Sequence, residues 1–190
     1  TEENTLSLHD ALPIYGGAMT GSDSFQSASD EIVRFGKYLW DKNLTVGSSG
    51  NISVRLSDEN GIAITATETS LGFLTSKDIV QMDLQGRVIH GGKPSSENML
   101  HRSVYQKILE GGAVIHVHSV FANAFFLKHK VLHPRILESR YVLGDVPVVD
   151  QKTLTVEDVG PVVDALAGHK VVHLRNHGSL ARGKNLMECF

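Results

Sequence analysis

The run Ala113-Val114-Ile115-His116-Val117-His118-Ser119 constrains this chain more than any other. A short apolar segment rich in β-branched residues favours a strand. Side chains two apart on a strand project to the same face. The imidazoles of His116 and His118 are therefore aimed together from one rigid element. That pair is half of a metal site, and a functional site needs the fold to bring further donors to it from elsewhere in the chain.

The 190 residues suffice for one domain with a real core. A hydrophobic share of 41% and a charged share of 21% are those of a globular protein. The net charge of -3, with no basic run, gives no attraction to nucleic acid. No apolar stretch approaches the roughly 20 residues of a membrane helix. Cys189 is the single cysteine, so an intrachain disulfide is excluded, which fits a reducing, cytoplasmic setting.

Residues 1–27 are rich in Ser, Thr, Gly and Asn and lack periodicity, so they read as a disordered or artefactual segment. Asp10-Ala11-Leu12-Pro13-Ile14 within them resembles a translated sequencing adapter. Residues 28–190 read as the folded domain. Ile32, Phe35, Gly36, Leu39 and Trp40 lie at helical spacing, giving an amphipathic helix that starts near Ser29 and ends around Asn43. Strands are expected near 51–55 and 62–67, then a helical turn capped by Thr75. A hairpin is expected around Gln85-Gly86. Pro94-Ser95-Ser96-Glu97 opens a helix to Leu109, with Glu97 in its first turn. A helix over 119–129 follows the histidine strand. Residues 130–150 give no clear period. A helix beginning inside 156–167, at Gly160-Pro161, precedes a strand over 170–176 and a second through Leu180. Asn185 to Phe190 reads as the start of a helix.

Alternating strands and helices let distant segments meet over one sheet. His177, at a strand end before a glycine, is the best third metal donor. Glu97 is the best carboxylate. Taken singly, each has a plainer role. His-x-His on a strand is a weak motif. A lone turn histidine is more often no ligand. Glu97 favours a helix dipole and Ser95 and Ser96 cap a helix.

Taken together, Gly50-Asn51-Ile52-Ser53, Ile64-Thr65-Ala66-Thr67, Lys93-Pro94-Ser95-Ser96-Glu97, His101, His116-Val117-His118-Ser119 and Asn176-His177-Gly178 resemble the class II aldolases and adducin head domains. Within that family the similarity is greatest to fuculose-phosphate aldolase. It runs from about Ile32 to Phe190. The resemblance implies an α/β fold, a three-layer α/β/α domain around a central, largely antiparallel sheet. It implies a homotetramer with interfacial active sites. It implies Zn²⁺, or another divalent ion, on His116, His118 and His177, with Glu97 as acid/base that also touches the metal. Gly50, Asn51, Thr67, Ser95 and Ser96 match positions that cradle a substrate phosphate. The implied reaction is cleavage of a small ketose phosphate such as fuculose 1-phosphate through a zinc-stabilised enediolate. Dehydratase, 4-epimerase and decarboxylase activities on sugar phosphates share the metal site. Glu97 stands against the epimerase, which uses Asp there. A non-catalytic adducin-like assembly role would not need the three histidines and Glu97.

Three departures from the family pattern matter. Glu68 stands where the second phosphate turn has glycine, so either only its backbone N–H serves the site or the substrate carries less charge. The proton-donor tyrosine of fuculose-phosphate aldolase has no counterpart in Val146-Pro147-Val148-Val149-Asp150, and Tyr141 is shifted. The chain resembles one truncated at its C-terminus, which predicts exposed apolar surface around Leu186 and Phe190.

Overall fold

The computed structural model describes residues 24–57, 61–153 and 155–190. The reading of residues 1–27 as disordered or artefactual falls outside the described residues up to position 23. Residues 24–27 belong to the first helix. That helix, α1 (Ser24–Asp41), starts earlier than Ser29 and buries Ile32, Phe35 and Leu39 on one face. Asn43, at φ 56°, turns the chain out of it.

The remaining helices are α2 (Asn98–Lys107), α3 (Val120–Phe126), α4 (Leu137–Val142), α5 (Gly160–Gly168) and α6 (Leu186–Cys189). The strands are β1 (Asn51–Arg55), β2 (Gly61–Thr65), β3 (Ile79–Asp83), β4 (Val88–His90), β5 (Ala113–Val117), β6 (Val131–Leu132), β7 (Val146–Val149), β8 (Val171–Leu174) and β9 (Gly178–Gly183). Among the described residues they form one sheet in the order β4-β3-β2-β1-β5-β9-β8-β7-β6. Among these described strands only β7 and β8 pair in parallel. The largely antiparallel sheet agrees with the expected architecture.

The sheet separates two cores. On one face Ile62, Ile64, Val114, Val172 and Leu180 pack against Leu100, Val104 and Tyr105 of α2 and Val162, Val163 and Leu166 of α5. On the other, Ile52, Val54, Ala63 and Ile115 meet Ile32, Phe35 and Leu39 of α1. Alternation within β5 sends Val114 to the α2 side and Ala113 and Ile115 to the α1 side. By the same parity His116 stands on the α2 side.

One expectation is corrected at the C-terminal end. Leu186 is fully buried in the α1 core rather than exposed. The Asn185 side chain accepts from Glu188 N–H at 2.9 Å and starts α6, which folds back over β9 and onto α1. Phe190 is 44% exposed, yet its ring lies edge-on to Phe35 at 5.9 Å. Residues 130–150 resolve into β6, α4 and β7, elements too short to show a period.

The turn after β2 carries a strained residue. Thr67 N–H donates to Lys93 C=O at 3.0 Å, and Thr69 Oγ1 donates to Ala66 C=O at 2.8 Å. Between them Glu68 sits at φ 62°, exposed. That left-handed conformation favours glycine. Glu68→Gly is expected to stabilise the fold by about 1 kcal/mol in urea unfolding. No gain would show that the Glu68 conformation is unstrained.

Candidate metal centre

The centre is built at one end of the sheet, on the α2 side. Register places it: Asn51 pairs with His116 across β1 and β5, and His116 pairs with Leu180 across β5 and β9. His118 follows β5 directly. His177 lies in the β8–β9 turn, which Asn176 makes possible at φ 59°. His177 N–H donates to Leu174 C=O at 3.0 Å, and Asn123 of α3 donates to His177 C=O at 3.1 Å.

The three imidazoles converge, with ring centroids 4.7–4.9 Å apart and one nitrogen of each within 4.8 Å of the others. His116 Nδ1 lies 3.1 Å from Ser179 C=O. A carbonyl only accepts, so Nδ1 carries the hydrogen and Nε2 is left with its lone pair. His118 Nε2 lies 2.9 Å from that Nε2 and donates to it. One divalent ion could be shared by the three nitrogens after small ring shifts, with His118 then presenting a lone pair in place of its N–H.

Two glycines make room. A Cβ on Gly178 would sit 2.4 Å from Val117 C=O, 2.7 Å from His118 Cδ2 and 3.0 Å from His116 Cε1. A Cβ on Gly50, at φ 85°, would sit 2.8 Å from His116 C=O. Either would push on the histidine cluster.

Glu97 stands just before α2, as its N-cap residue rather than in its first turn. The residue is 6% exposed. One carboxylate oxygen is 3.2 Å from His116 Nε2 and the other 3.5 Å from His177 Nε2. Neither oxygen has hydrogen-bond geometry with a donor, and His177 Nδ1 is likewise buried and unpaired. Buried, unsatisfied acceptors grouped this way are costly in an apolar interior and fit a cation. Burial raises the Glu97 carboxyl pKa, opposed more weakly by the Asn51 side chain and the Val156 backbone. Burial, and then the neighbouring rings, pushes His116 well below the ordinary imidazole range. Burial and His177 take His118 down to about 4, and burial lowers His177. All three rings are thus neutral near pH 7, the form that binds metal.

The other sequence-predicted residues surround this group. Ile52 N–H donates to Thr65 Oγ1 at 3.3 Å, and Ser95 N–H donates to Thr65 C=O at 3.0 Å. These bonds draw together the start of β1, the end of β2 and the entry to α2. They carry Gly50, Asn51, Thr67, Ser95 and Ser96 with them. Ser95 is buried, with Oγ accepting from Glu97 N–H at 3.2 Å, whereas Ser96 is exposed. Glu68 is on the exposed rim of the same turn. Tyr141 is 93% exposed on α4, away from the buried centre.

His101, one of the residues that carry the family resemblance but without a role assigned from sequence, belongs to a buried polar group under the centre. His101 Nε2 is 2.5 Å from Asn51 Oδ1 and Nδ1 is 2.6 Å from Ser53 Oγ, which is 2.8 Å from Tyr105 Oη. A signal existed: Asn51 and Ser53 are two apart on a strand, and His101 and Tyr105 four apart on a helix.

Comparison with known proteins places these features in a family. The model of the class II aldolase and adducin N-terminal domain matches residues 30–190. An L-fuculose phosphate aldolase of Methanococcus maripaludis is 36% identical over 160 residues, covering 84% of this chain and 87% of that protein. A 3-oxo-tetronate 4-phosphate decarboxylase of Haemophilus influenzae is 30% identical over 164 residues, covering 83% of this chain and 77% of that protein. The crystal structure of L-fuculose-1-phosphate aldolase from Thermus thermophilus superposes with a TM-score of 0.77 at 30% identity, covering 86% of each chain.

Burial holds the His101 pKa at about 3. An unfolded chain takes up a proton there below about pH 6.5, whereas the folded chain does not until about pH 3. Stability is therefore complete above that window and falls as pH drops through it. His101→Gln should flatten this fall by up to about 1.4 kcal/mol per pH unit in urea unfolding between about pH 6 and pH 4.5. Equal slopes for both proteins would show that the ring is protonated in the native state.

Proposed function

The chain belongs to the class II aldolase and adducin N-terminal domain family, and from that premise we propose that it is a zinc-dependent aldolase acting on a small ketose phosphate such as fuculose 1-phosphate. The convergence of His116, His118 and His177 beside the buried Glu97 carboxyl carries this reading.

His116, His118 and His177 would hold the metal, with Glu97 touching it when no substrate is present. A divalent ion there supplies Lewis-acid stabilisation of the negative charge that carbon–carbon cleavage leaves on the substrate. The protein's own side chains do the rest. In retro-aldol cleavage the hydroxyl beyond the breaking bond gives up its proton to water and becomes an aldehyde. The electron pair of the bond stays on the carbon next to the carbonyl, and that carbon must be protonated. Glu97 is the acid that delivers this proton, because burial keeps its carboxyl protonated to higher pH than an exposed glutamate.

The phosphate is assigned to the surrounding turns. Gly50 and Asn51, Thr67, Ser95 and Ser96 offer backbone N–H groups and hydroxyls next to the start of α2, a setting that favours an anion. Glu68 serves through its backbone alone, which its exposed carboxyl and left-handed turn support. Four copies are proposed to assemble with the sites at their interfaces. Phe121, Leu137 and Tyr141 are 85%, 77% and 93% exposed, and such exposed apolar side chains favour a partner surface.

The decarboxylase-named relative favours a second reading, decarboxylation of a 3-oxo-tetronate phosphate. Loss of carbon dioxide from a 3-oxo acid leaves the same kind of carbanion, and Glu97 would protonate it. The test is product analysis on pooled ketose phosphates and 3-oxo acid phosphates, with and without chelator. Aldehyde release that stops on chelation and returns with Zn²⁺ is expected. Glu97→Gln should keep its metal and lose about 100-fold or more in kcat. Carbon dioxide without aldehyde would select the decarboxylase, and an inactive, metal-free, well-folded oligomer would overturn both in favour of an assembly domain.

By light scattering the mass should be four times that of one chain. A monomer would refute the tetramer.

A further inference from the structure

His101 has no part in the chemistry above, yet it is fully buried beneath the site. It lies one turn along α2 from Glu97, whose C=O accepts from His101 N–H at 3.2 Å. Both ring nitrogens are engaged, Nδ1 with Ser53 Oγ and Nε2 with Asn51 Oδ1, and Ser53 Oγ also meets Tyr105 Oη. Tyr105, Ser53, His101 and Asn51 thus form one unbranched, buried series that ends beside Glu97.

The protons of such a series must all point one way. Ser53 has one hydroxyl hydrogen and a neutral imidazole has one N–H. Burial keeps the ring neutral. The Asn51 amide sets the direction. Asn51 turns Oδ1 to the ring at 2.5 Å, and an amide oxygen only accepts, so its NH2 group is directed the other way, and the Asn51 side chain opposes the rise in the Glu97 pKa. Asn51 Oδ1 then faces the ring, His101 carries its hydrogen on Nε2, and Nδ1 accepts from Ser53. Ser53 Oγ in turn accepts from Tyr105. At the far end the Tyr105 hydroxyl, 2.8 Å from Ser53 Oγ, is the donor, because the Ser53 hydrogen is already given to His101 Nδ1. The reverse direction would need the Asn51 amide turned over, with its NH2 group against His101 Nε2.

We propose that His101 is a positioning residue: its Nε2–H pins the Asn51 carbonyl oxygen, so that Asn51 presents its NH2 group to Glu97 and fixes the orientation of that carboxyl. The proton arrangement stands on the geometry alone. Its effect on turnover rests on the reading of Glu97 as the acid of an aldolase-type site.

The experiment uses the metal-loaded protein. Nitrogen-15 spectra of labelled histidine should show a neutral, Nε2–H ring that vanishes in His101→Phe. The Asn51 side-chain NH2 should exchange slowly with solvent in the wild type and in His101→Gln, and faster in His101→Phe. Phenylalanine keeps the ring volume but deletes both bonds, whereas glutamine can still donate to Asn51 and accept from Ser53. His101→Phe should lower kcat about 10- to 100-fold with little change in KM and with metal content intact, and His101→Gln should recover most of that loss. Asn51→Asp keeps the acceptor for His101 but removes the donor to Glu97. It should lower kcat comparably with the Nε2–H tautomer unchanged, and it carries the kinetic test if His101→Phe fails to fold. An Nδ1–H or doubly protonated ring in the wild type would overturn the proposal. So would full kcat in His101→Phe or Asn51→Asp, or a glutamine variant as slow as the phenylalanine one. If the wild type turns over no ketose phosphate, the aldolase reading falls, while the tautomer and NH2 exchange still decide the proton arrangement.

Discussion

The pairing of β5 between β1 and β9 is the constraint on which the site depends. Hydrogen bonding along both edges holds β5 in one register, Asn51 opposite His116 on one side and Leu180 opposite His116 on the other. A slip of one residue would send every β5 side chain to the opposite face. His116 would then point at α1, away from Glu97, and Ile115 would enter the polar site. The same pairing brings Ser179 C=O to His116 Nδ1, so the register sets both the direction of the ring and its tautomer. The two hydrophobic cores are therefore part of the site's construction. Packing of Val114 against α2 and of Ile115 against α1 makes the slipped register unfavourable.

The α2 side of the sheet changes character along its length. Its middle is apolar, with Ile62, Val114, Leu100 and Val104 in contact. Its end collects Asn51, Ser53, Glu97, His101 and His116, all buried. Burying polar groups is tolerable where each finds a partner. The Tyr105–Ser53–His101–Asn51 series meets that condition. Glu97 and His177 Nδ1 do not. The unsatisfied atoms are grouped around the histidine cluster, while the satisfied series lies just beneath it. A rigid, bonded floor under a set of unpaired acceptors is the arrangement expected when stability is given up locally for ligand binding.

Much of this was legible in the sequence because it follows from local periods. The two-residue period placed His116 and His118 together, and the 3.6-residue period gave α1 its buried Ile32, Phe35 and Leu39. Gly160-Pro161 marked the start of α5, with Pro in its first turn. What was not legible depends on contacts between distant segments. Leu186 reads as exposed until α6 is seen to fold onto α1. Residues 130–150 are divided among elements of two to six residues, too few for a period to register. Glu97 was placed one position too far into its helix, since boundaries depend on which N–H first finds a partner. The link from His101 to Asn51 spans fifty positions of sequence, and only the folded sheet brings the two together.

Glu68 shows how the site separates into parts that can and cannot vary. Its turn is shaped by the Thr67–Lys93 and Thr69–Ala66 bonds, which use backbone and a threonine hydroxyl rather than the side chain at 68. The turn therefore keeps its left-handed form with glutamate in place of glycine, at a cost in strain but without moving Thr67 or Ser95. The carboxyl is exposed, so solvent and salt weaken its field across the site. No comparable freedom exists at Gly178, where a Cβ would meet a carbonyl and two imidazoles. Change at the rim thus alters surface charge while leaving the buried donors in place.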